Sequence, residues 1–314
     1  MNFLYYLRKF SYNLLPTTYF AWNYKRLKKI EKQLDNKEIE QRLDYYFKIK
    51  EPFRLPSESV AVKDFKRKGG TGYYLDLKEF LHYFKPKTKF AYVFGDHTHV
   101  NTYPTLFKAR PIYGENANSI LFKLNKQRHF RWVDDPYTFK EKKDLVVWRG
   151  GAYQKLRRVI VEKIWNHPLC DVGQTNSPKE DVPWQKPLMK IAEQLKYKFI
   201  LCPEGNDVAT NLKWAMSSNS LCIMPKPKYE TWFMEGTLEA GVHYVEVKDD
   251  CSDLEEKVDY YLAHQKEAEK IINQAHQYVN QFKNKDKEDL LCLKVLERYA
   301  LMSGQKSLIK FKNS

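Results

Sequence analysis

The sequence predicts an α/β fold with a parallel, doubly wound sheet, because short apolar strands alternate with helices from residue 145 to residue 262. The clearest unit is 196–224, KYKFILCPEGNDVATNLKWAMSSNSLCIM, in which an apolar strand ends at a polar loop, a helix opens and a second strand follows. A similar strand-loop-helix unit surrounds Arg149, Gly150 and Gly151. At 314 residues the chain is long enough for two ordinary domains or one large one.

Each predicted element has a local signal. Apolar spacing predicts a charged helix over 25–48, and a strand over 90–94 ends at Gly95-Asp96. Charged, helical periodicity continues over the tail, about 267–301. The remaining segments are strands 145–148, 199–202, 221–224 and 242–247, helices 152–166 and 208–216, and a helix introduced by the capping pair Ser252 and Glu255.

The turn Asp134-Asp135-Pro136 is the expected domain boundary. It divides the chain into a first domain 1–135 with a basic, aromatic N-terminal segment, a second domain 136–275, and a helical tail 276–314.

The loop after strand 199–202 has the composition of an anion site. Asn206 or Asp207 is a plausible N-cap, and free N–H groups at a helix start favour a phosphate. Thr210, Asn211 and Lys213 follow in the first turns and are positioned to contact a diphosphate. The alternative is an ordinary βαβ piece without a ligand, because fold does not imply function.

Composition limits the classes of protein. No stretch has the roughly 18 to 20 apolar residues of a membrane span, and the N-terminus does not read as a secretory signal. Five cysteines without CxxC spacing indicate neither a disulfide framework nor a zinc site, so a reducing cytoplasm fits best. The net charge is +15, and the first thirty residues hold six cations, many aromatic side chains and no acid. That segment suits an anionic membrane surface or a nucleic acid, or else its aromatic side chains pack into the domain.

Five stretches occur in one collinear order: GDHTHVNTYPTLFKARPI (95–112), VVWRGGAYQKLRR (146–158), DVGQTN (171–176), KYKFILCPEGNDVATNLKWAMSSNSLCIMP (196–225) and ETWFMEGTLEAGVHYVEVKDDCSDL (230–254). Together they resemble glycosyltransferase family 90, the CAP10 or lipopolysaccharide-modifying group. The resemblance covers roughly residues 85–300, and its bacterial members with these signatures are lipopolysaccharide core glycosyltransferases.

The resemblance implies a GT-B fold with two Rossmann-like halves facing a cleft, and inverting transfer from a UDP-sugar. In that arrangement, domain 1–135 lies on the acceptor side and domain 136–275 binds the nucleotide sugar. Asp96 matches the proposed general base, which takes the proton from the attacking hydroxyl. Arg149 and Gly150 match a motif facing the donor, and Gly205 with the helix 209–213 matches the donor-binding element. Eukaryotic relatives place an arginine where this chain has Asn211. This difference shifts more of the expected phosphate binding onto Arg149 and Lys213.

The same resemblance frames the remaining candidates. No Asp-x-Asp motif occurs, so no metal or other cofactor is expected, and cations would stabilise the leaving diphosphate. His97 and His99 form an HxH pair without a third ligand, which favours acceptor contacts over a metal site. Lys108 and Arg110 either face an anionic acceptor or form a solvated edge, and Glu230 is placed for a ribose hydroxyl.

The expected enzyme moves a sugar from a UDP donor to the inner core of lipopolysaccharide or lipooligosaccharide, at the cytoplasmic face of the inner membrane. Nucleic acid is not an expected partner, since no zinc-finger, RNP-type or helix-turn-helix signature occurs.

Overall fold

The computed structural model describes residues 3–305 and 309–311. Its helices are α1 (Phe3–Ser11), α2 (Thr17–Glu31), α3 (Asn36–Tyr46), α4 (Thr71–Leu81), α5 (Lys126–His129), α6 (Lys155–Ile164), α7 (Ile191–Gln194), α8 (Leu212–Met216), α9 (Leu254–Ala263), α10 (Gln265–Asn280) and α11 (Lys285–Met302). Its strands are β1 (Val60–Ala61), β2 (Lys89–Phe90), β3 (Thr105–Phe107), β4 (Ala109–Pro111), β5 (Ser119–Leu121), β6 (Lys143–Gly150), β7 (Cys170–Gln174), β8 (Tyr197–Leu201), β9 (Leu221–Pro225), β10 (Tyr229–Thr231) and β11 (Val245–Val247).

The described residues form two compact units. The first contains 1–128, 229–234 and 282–314, and the second contains 129–228 and 235–281. These units differ from the predicted ranges 1–135, 136–275 and 276–314, because most of the tail belongs to the first unit. The predicted boundary turn lies within the second unit, where the Asp135 carboxylate accepts hydrogen bonds from Lys142 Nζ at 2.7 Å and from the Asn219 amide at 2.8 Å.

The second unit is built on a five-stranded parallel sheet in the order β11-β9-β8-β6-β7. Every residue of β8 and β9 is buried, as expected for central strands covered on both faces. Apolar side chains of the strands pack against α6, α9 and α10 in one core, including Val146, Phe199, Ile223, Val161 and Ile271. The parallel sheet confirms the predicted α/β class.

The order of strands in this sheet creates a switch point. From β6 the chain crosses through α6 to β7 on one side, and then returns to β8 on the other side of β6. Connections from β6 and β8 therefore leave in opposite directions, and in open α/β sheets such a reversal is where a crevice forms beyond the carboxyl ends of the strands. The loops at 151–154 and 202–211 lie at these carboxyl ends and flank the expected crevice.

The first unit has only short strands among its described residues. β3 pairs in parallel with β5, and Tyr92 forms a parallel bridge to Leu106 of β3. Three chain segments therefore run side by side in one direction, and their carboxyl ends lie at one edge. β10 pairs antiparallel with β4, which brings the segment 229–234 into this unit.

Two helix predictions were wrong in their bounds. The predicted helix over 25–48 is two helices, because the Asp35 side chain accepts a hydrogen bond from the Lys37 amide and starts α3 afresh. The predicted helix 208–216 is only α8, which begins at Leu212. The preceding residues form a loop in which the Gly205 amide donates to the Asp207 carbonyl at 2.8 Å.

Within the described ranges, no helix combines the length and the apolar character that crossing a bilayer requires.

Candidate functional site

The first cluster of polar side chains lies where two parallel segments of the first unit end. Asp96 follows the segment that bridges β3 at Tyr92, and Lys108 directly follows β3. Gly95 turns the chain at φ +124°, where a Cβ atom would lie 2.8 Å from the His97 ring. Glycine is therefore required at position 95 for the turn that presents Asp96.

The Asp96 carboxylate is surrounded by donors. Lys108 forms an ion pair with Oδ1, Tyr73 donates its hydroxyl to Oδ1 at 2.6 Å, and Arg128 Nη1 lies 3.0 Å from Oδ2. Burial raises the pKa of Asp96, but the charge of Lys108 and the bonds from Lys108 and Tyr73 outweigh it, and the net pKa lies well below the usual range. Asp96 is therefore an ionised carboxylate at neutral pH, with 22% of its side chain exposed.

The other predicted acceptor-side residues separate into two groups. His97 and His99 are exposed beside Asp96, with ring centroids 5.6 Å apart. Lys108 is buried on Asp96 and is therefore a partner of the predicted base, not a solvated edge. Arg110 is fully buried, and its guanidinium contacts Glu230 at 2.6 Å, the Tyr45 carbonyl at 2.7 Å and the Ser119 carbonyl at 3.2 Å.

Glu230 belongs to the same buried pair. It lies opposite Arg110 in the antiparallel ladder of β10 and β4, and Tyr45 donates its hydroxyl to the same carboxylate. The expectation that Arg110 faces an acceptor and Glu230 a ribose does not match these contacts, because each neutralises the other inside the first unit. An unpaired charge there would be costly, so the pair is retained for the fold.

The second cluster lies at the switch point of the parallel sheet and centres on Arg157, which the sequence reasoning missed. From the first turn of α6, its guanidinium donates to the carbonyls of Gly151 at 3.2 Å, Pro203 at 3.0 Å and Glu204 at 3.0 Å. These carbonyls belong to the two loops that flank the crevice. Three cations in the first turn of α6, Lys155, Arg157 and Arg158, oppose the helix dipole, and that signal in the sequence indicates a role beyond helix stability.

Further contacts hold these loops. Gln154 donates to Asn206 Oδ1 at 3.1 Å, and the Lys228 amide donates to the Glu204 carboxylate at 3.1 Å. A Cβ atom on Gly205 would approach Arg157 Nη2 at 3.0 Å. The absence of a side chain at Gly205 thus permits the guanidinium to reach both loops.

The predicted donor residues Arg149 and Gly150 end β6 at this edge of the sheet. The Arg149 side chain is bound to Asp171, with Nη2 to Oδ1 at 2.5 Å and Nη1 to the Asp171 carbonyl at 2.6 Å. Burial raises the pKa of Asp171, but hydrogen bonds from Tyr197, Arg149 and Lys186 outweigh it and lower the pKa well below its usual range. Arg149 therefore has an anionic partner of its own within the protein.

The residues predicted around α8 are also engaged. Asn211 donates its side-chain amide to the Leu201 carbonyl at 2.9 Å and so ties α8 to the end of β8. Lys213 forms an ion pair with Glu235 in which both side chains are at most 1% exposed. Asp207 is buried in the loop, and Thr210 is partly exposed beside it. The expected phosphate contact of Lys213 does not match this buried pair. Helix α8 has only five residues and begins at Leu212, so Asp207 lies outside the helix and is not its N-cap.

Among residues 3–305 and 309–311, no group of three or more His, Cys, Asp or Glu side chains has the arrangement of a metal site. His97 and His99 thus form a pair without a third ligand of these types in that part of the chain.

Comparisons with known proteins identify the family of this chain. The model of glycosyl transferase family 90 matches residues 124–310. O-glucosyltransferase LpsA of Dichelobacter nodosus is 44% identical over 261 residues, which cover 83% of this chain and 82% of that protein. Protein O-glucosyltransferase 2 of Danio rerio and protein O-glucosyltransferase 3 of Homo sapiens are each 27% identical over 52% and 54% of this chain, and each is matched over 34% of its own length. The chain therefore belongs to glycosyl transferase family 90.

Proposed function

We propose that this protein transfers glucose from a UDP-sugar to a hydroxyl of the lipopolysaccharide or lipooligosaccharide inner core, with inversion at the anomeric carbon. The observation that carries the proposal is the similarity to the glucosyltransferase LpsA over most of both chains. The net charge of +15 suits an acceptor that carries phosphates and acidic sugars. We propose the cytoplasmic face of the inner membrane as the site of the reaction.

In the proposed reaction, Asp96 takes the proton from the acceptor hydroxyl while the oxygen of that hydroxyl bonds to the anomeric carbon. The bond from that carbon to the diphosphate breaks on the opposite face, and UDP leaves with the electron pair. Asp96 is ionised at neutral pH, as a general base must be, although the ion pairs that lower its pKa also lower its basicity. His97 and His99, exposed beside it, are proposed to contact the acceptor sugar.

The donor is proposed to bind at the switch point of the second unit, between the loops at 151–154 and 202–211. Gly205 and Thr210 belong to the second loop and Gly150 ends β6 beside the first, and a close approach of backbone N–H groups suits a diphosphate. In the proposed GT-B arrangement, the cation Arg157 replaces Lys213 as the residue that organises this site, and no metal or other cofactor takes part. Arg149 joins β6 to β7 through Asp171.

We expect Arg157→Lys to weaken binding of the UDP-sugar by about tenfold or more, because an ammonium cannot donate to three carbonyls at once and the loops lose their common partner. Isothermal titration calorimetry with UDP and UDP-glucose measures this effect. Arg158→Lys is the matched control, since Arg158 is the next residue of the same helix and its guanidinium donates to Glu180 at 3.1 Å. Equal affinities for the two variants would contradict the role given to Arg157.

The function itself is tested with a deletion strain. Its lipooligosaccharide should lack one hexose relative to the parent by mass spectrometry, and the purified protein should restore that hexose in vitro from UDP-glucose. UDP-galactose and UDP-N-acetylglucosamine serve as control donors. An unchanged glycan in the deletion strain, together with no release of UDP in vitro, would overturn the proposal.

A further inference from the structure

Helix α1 is docked on the first unit with its polar face inward. Tyr5 donates its hydroxyl to Asp76 Oδ1 at 2.5 Å, and the Lys9 ammonium lies 3.0 Å from the same oxygen. Lys9 also pairs with Glu79, which Lys126 contacts at 2.9 Å, and only 3% of Lys9 is exposed. The charged anchor of α1 is therefore buried against α4.

The opposite face of α1 is apolar and faces solvent. Leu7 is 55% exposed, Phe10 46% and Leu14 86%, and their spacing of three and four residues puts them on one side of the helix and the turn that follows it. A helix on the surface of a soluble protein normally buries its apolar face and exposes its charges. The orientation of α1 is the reverse, and in water this exposes large apolar side chains.

Helix α2 extends the same surface. Tyr12 contacts Tyr19 with ring centroids 6.5 Å apart, and Tyr19 contacts Trp22 at 6.1 Å. Trp22 is 59% exposed, so four of the ten large apolar side chains exposed in the described ranges lie within residues 7–22. We name Leu7, Phe10, Leu14 and Trp22 the apolar tip.

Cations surround the apolar tip. Arg8 is exposed on α1, and Lys25 and Lys29 are exposed on α2 at three and seven residues from Trp22, on the same face of that helix. At 1.5 Å per residue, both lysines lie within about 11 Å of Trp22 along the axis. Arg26 pairs with Asp286, and Lys28 pairs with Glu31. The first thirty residues themselves contain no acidic side chain.

We propose that the apolar tip inserts into the interfacial region of an anionic lipid bilayer, with Arg8, Lys25 and Lys29 at the level of the lipid phosphates. Lipid supplies the apolar contact that the inverted α1 lacks, and the cations complement the negative surface. Tryptophan is the side chain that favours this depth of a membrane. Lys9 and Tyr5 hold α1 to the protein, so insertion leaves the fold unchanged.

The test is flotation of the full chain with vesicles of phosphatidylcholine alone and of phosphatidylcholine mixed with phosphatidylglycerol. Wild type should float with the anionic vesicles, and Leu14→Asp should lower its partition by about tenfold or more. Leu188→Asp is the matched control, because Leu188 is 85% exposed and lies in the second unit. Equal losses for Leu14→Asp and Leu188→Asp would overturn the proposal.

A second comparison tests the role of the cations. The double variant Lys25→Gln, Lys29→Gln should lower the partition about 25-fold, or fivefold for each lysine, and the effect should shrink as salt is raised. Lys266→Gln with Lys270→Gln, on the exposed side of α10, removes the same charge and should leave the partition unchanged. Binding to a phosphate-bearing oligonucleotide but not to vesicles would overturn the proposal.

Two further readouts separate the alternatives. If a second copy of the chain covered the apolar tip, wild type would sediment as a dimer, Leu14→Asp as a monomer, and neither would float; that result overturns the lipid proposal. Transfer from UDP-glucose to a deacylated, water-soluble acceptor should be equal in wild type and Leu14→Asp. Failure of the proposed transfer reaction would appear in that assay and would leave flotation unaffected.

Discussion

Asp96→Asn should lower kcat for glycosyl transfer by about a hundredfold to ten-thousandfold and leave UDP-sugar affinity within about twofold of wild type. Asparagine keeps the size and the acceptor oxygen of the side chain, and so retains a partner for Tyr73 and Lys108, but it cannot take a proton from the acceptor. Turnover of radiolabelled UDP-glucose and calorimetric binding measure the two quantities. Turnover of Asp96→Asn within a few fold of wild type would exclude Asp96 as the base.

Two control variants distinguish a base from a structural carboxylate. Asp64→Asn removes an exposed carboxylate of the same unit and should retain full activity. Lys108→Met keeps the volume near Asp96 but removes the principal charge that lowers its pKa, so the acid limb of kcat/KM should move to higher pH. An unchanged pH profile in Lys108→Met would argue that Asp96 does not control the limb.

Glu288→Ala should lower the free energy of unfolding by about 3–5 kcal/mol, because it leaves two buried cations without their anion. The Glu288 carboxylate lies 2.6 Å from Arg42 Nη1 and 2.7 Å from Lys123 Nζ, and Trp232 donates Nε1–H to it at 2.7 Å. Urea denaturation followed by tryptophan fluorescence measures the change. Glu115→Ala, at an exposed position of the same unit, should change it by less than about 0.5 kcal/mol.

The same carboxylate should make stability depend on pH. Burial raises the pKa of Glu288, but Lys123 and Arg42 outweigh it, and the net pKa in the folded protein is lowered. Its contribution is present above the unfolded pKa of about 4.3 and is lost as the pH falls through the folded value. The difference between wild type and Glu288→Gln should therefore shrink below about pH 4, and a constant difference down to pH 2 would contradict this account.

Local patterns were sufficient for four of the five strands of the parallel sheet, whereas β7 was not predicted. Strands β6, β8 and β9 and the loops after β6 and β8 were predicted within a few residues, because buried parallel strands are short apolar runs and the turns that end them are rich in glycine. The strand predicted over 90–94 is shorter in the structure, where β2 ends at Phe90 and Tyr92 forms an isolated bridge, but the turn at Gly95-Asp96 was readable from its glycine. Its partners Tyr73 and Arg128 were not, because they are 23 and 32 residues away in sequence and reach the carboxylate only in the folded unit.

The roles of individual cations were decided by tertiary structure. Arg110, Arg149 and Lys213 have the composition of phosphate ligands in the sequence, yet each has an acidic partner inside its unit: Glu230, Asp171 and Glu235. A charge next to a glycine-rich loop has the same local pattern whether it faces a ligand or a buried carboxylate. The partner can come from anywhere in the chain, so Arg157 was recognised only from the carbonyls it contacts.

The sequence by itself determined the α/β class, the family signatures, the candidate base and the positive, aromatic character of the N-terminus. Only the tertiary structure decided which face of α1 is buried, since Asp76 and Glu79 on α4 take the polar face and leave the apolar tip exposed. Periodicity defines the two faces of a helix but not which one docks. That choice depends on the free energy of burying Lys9 beside two carboxylates, which exists only when α1 and α4 meet.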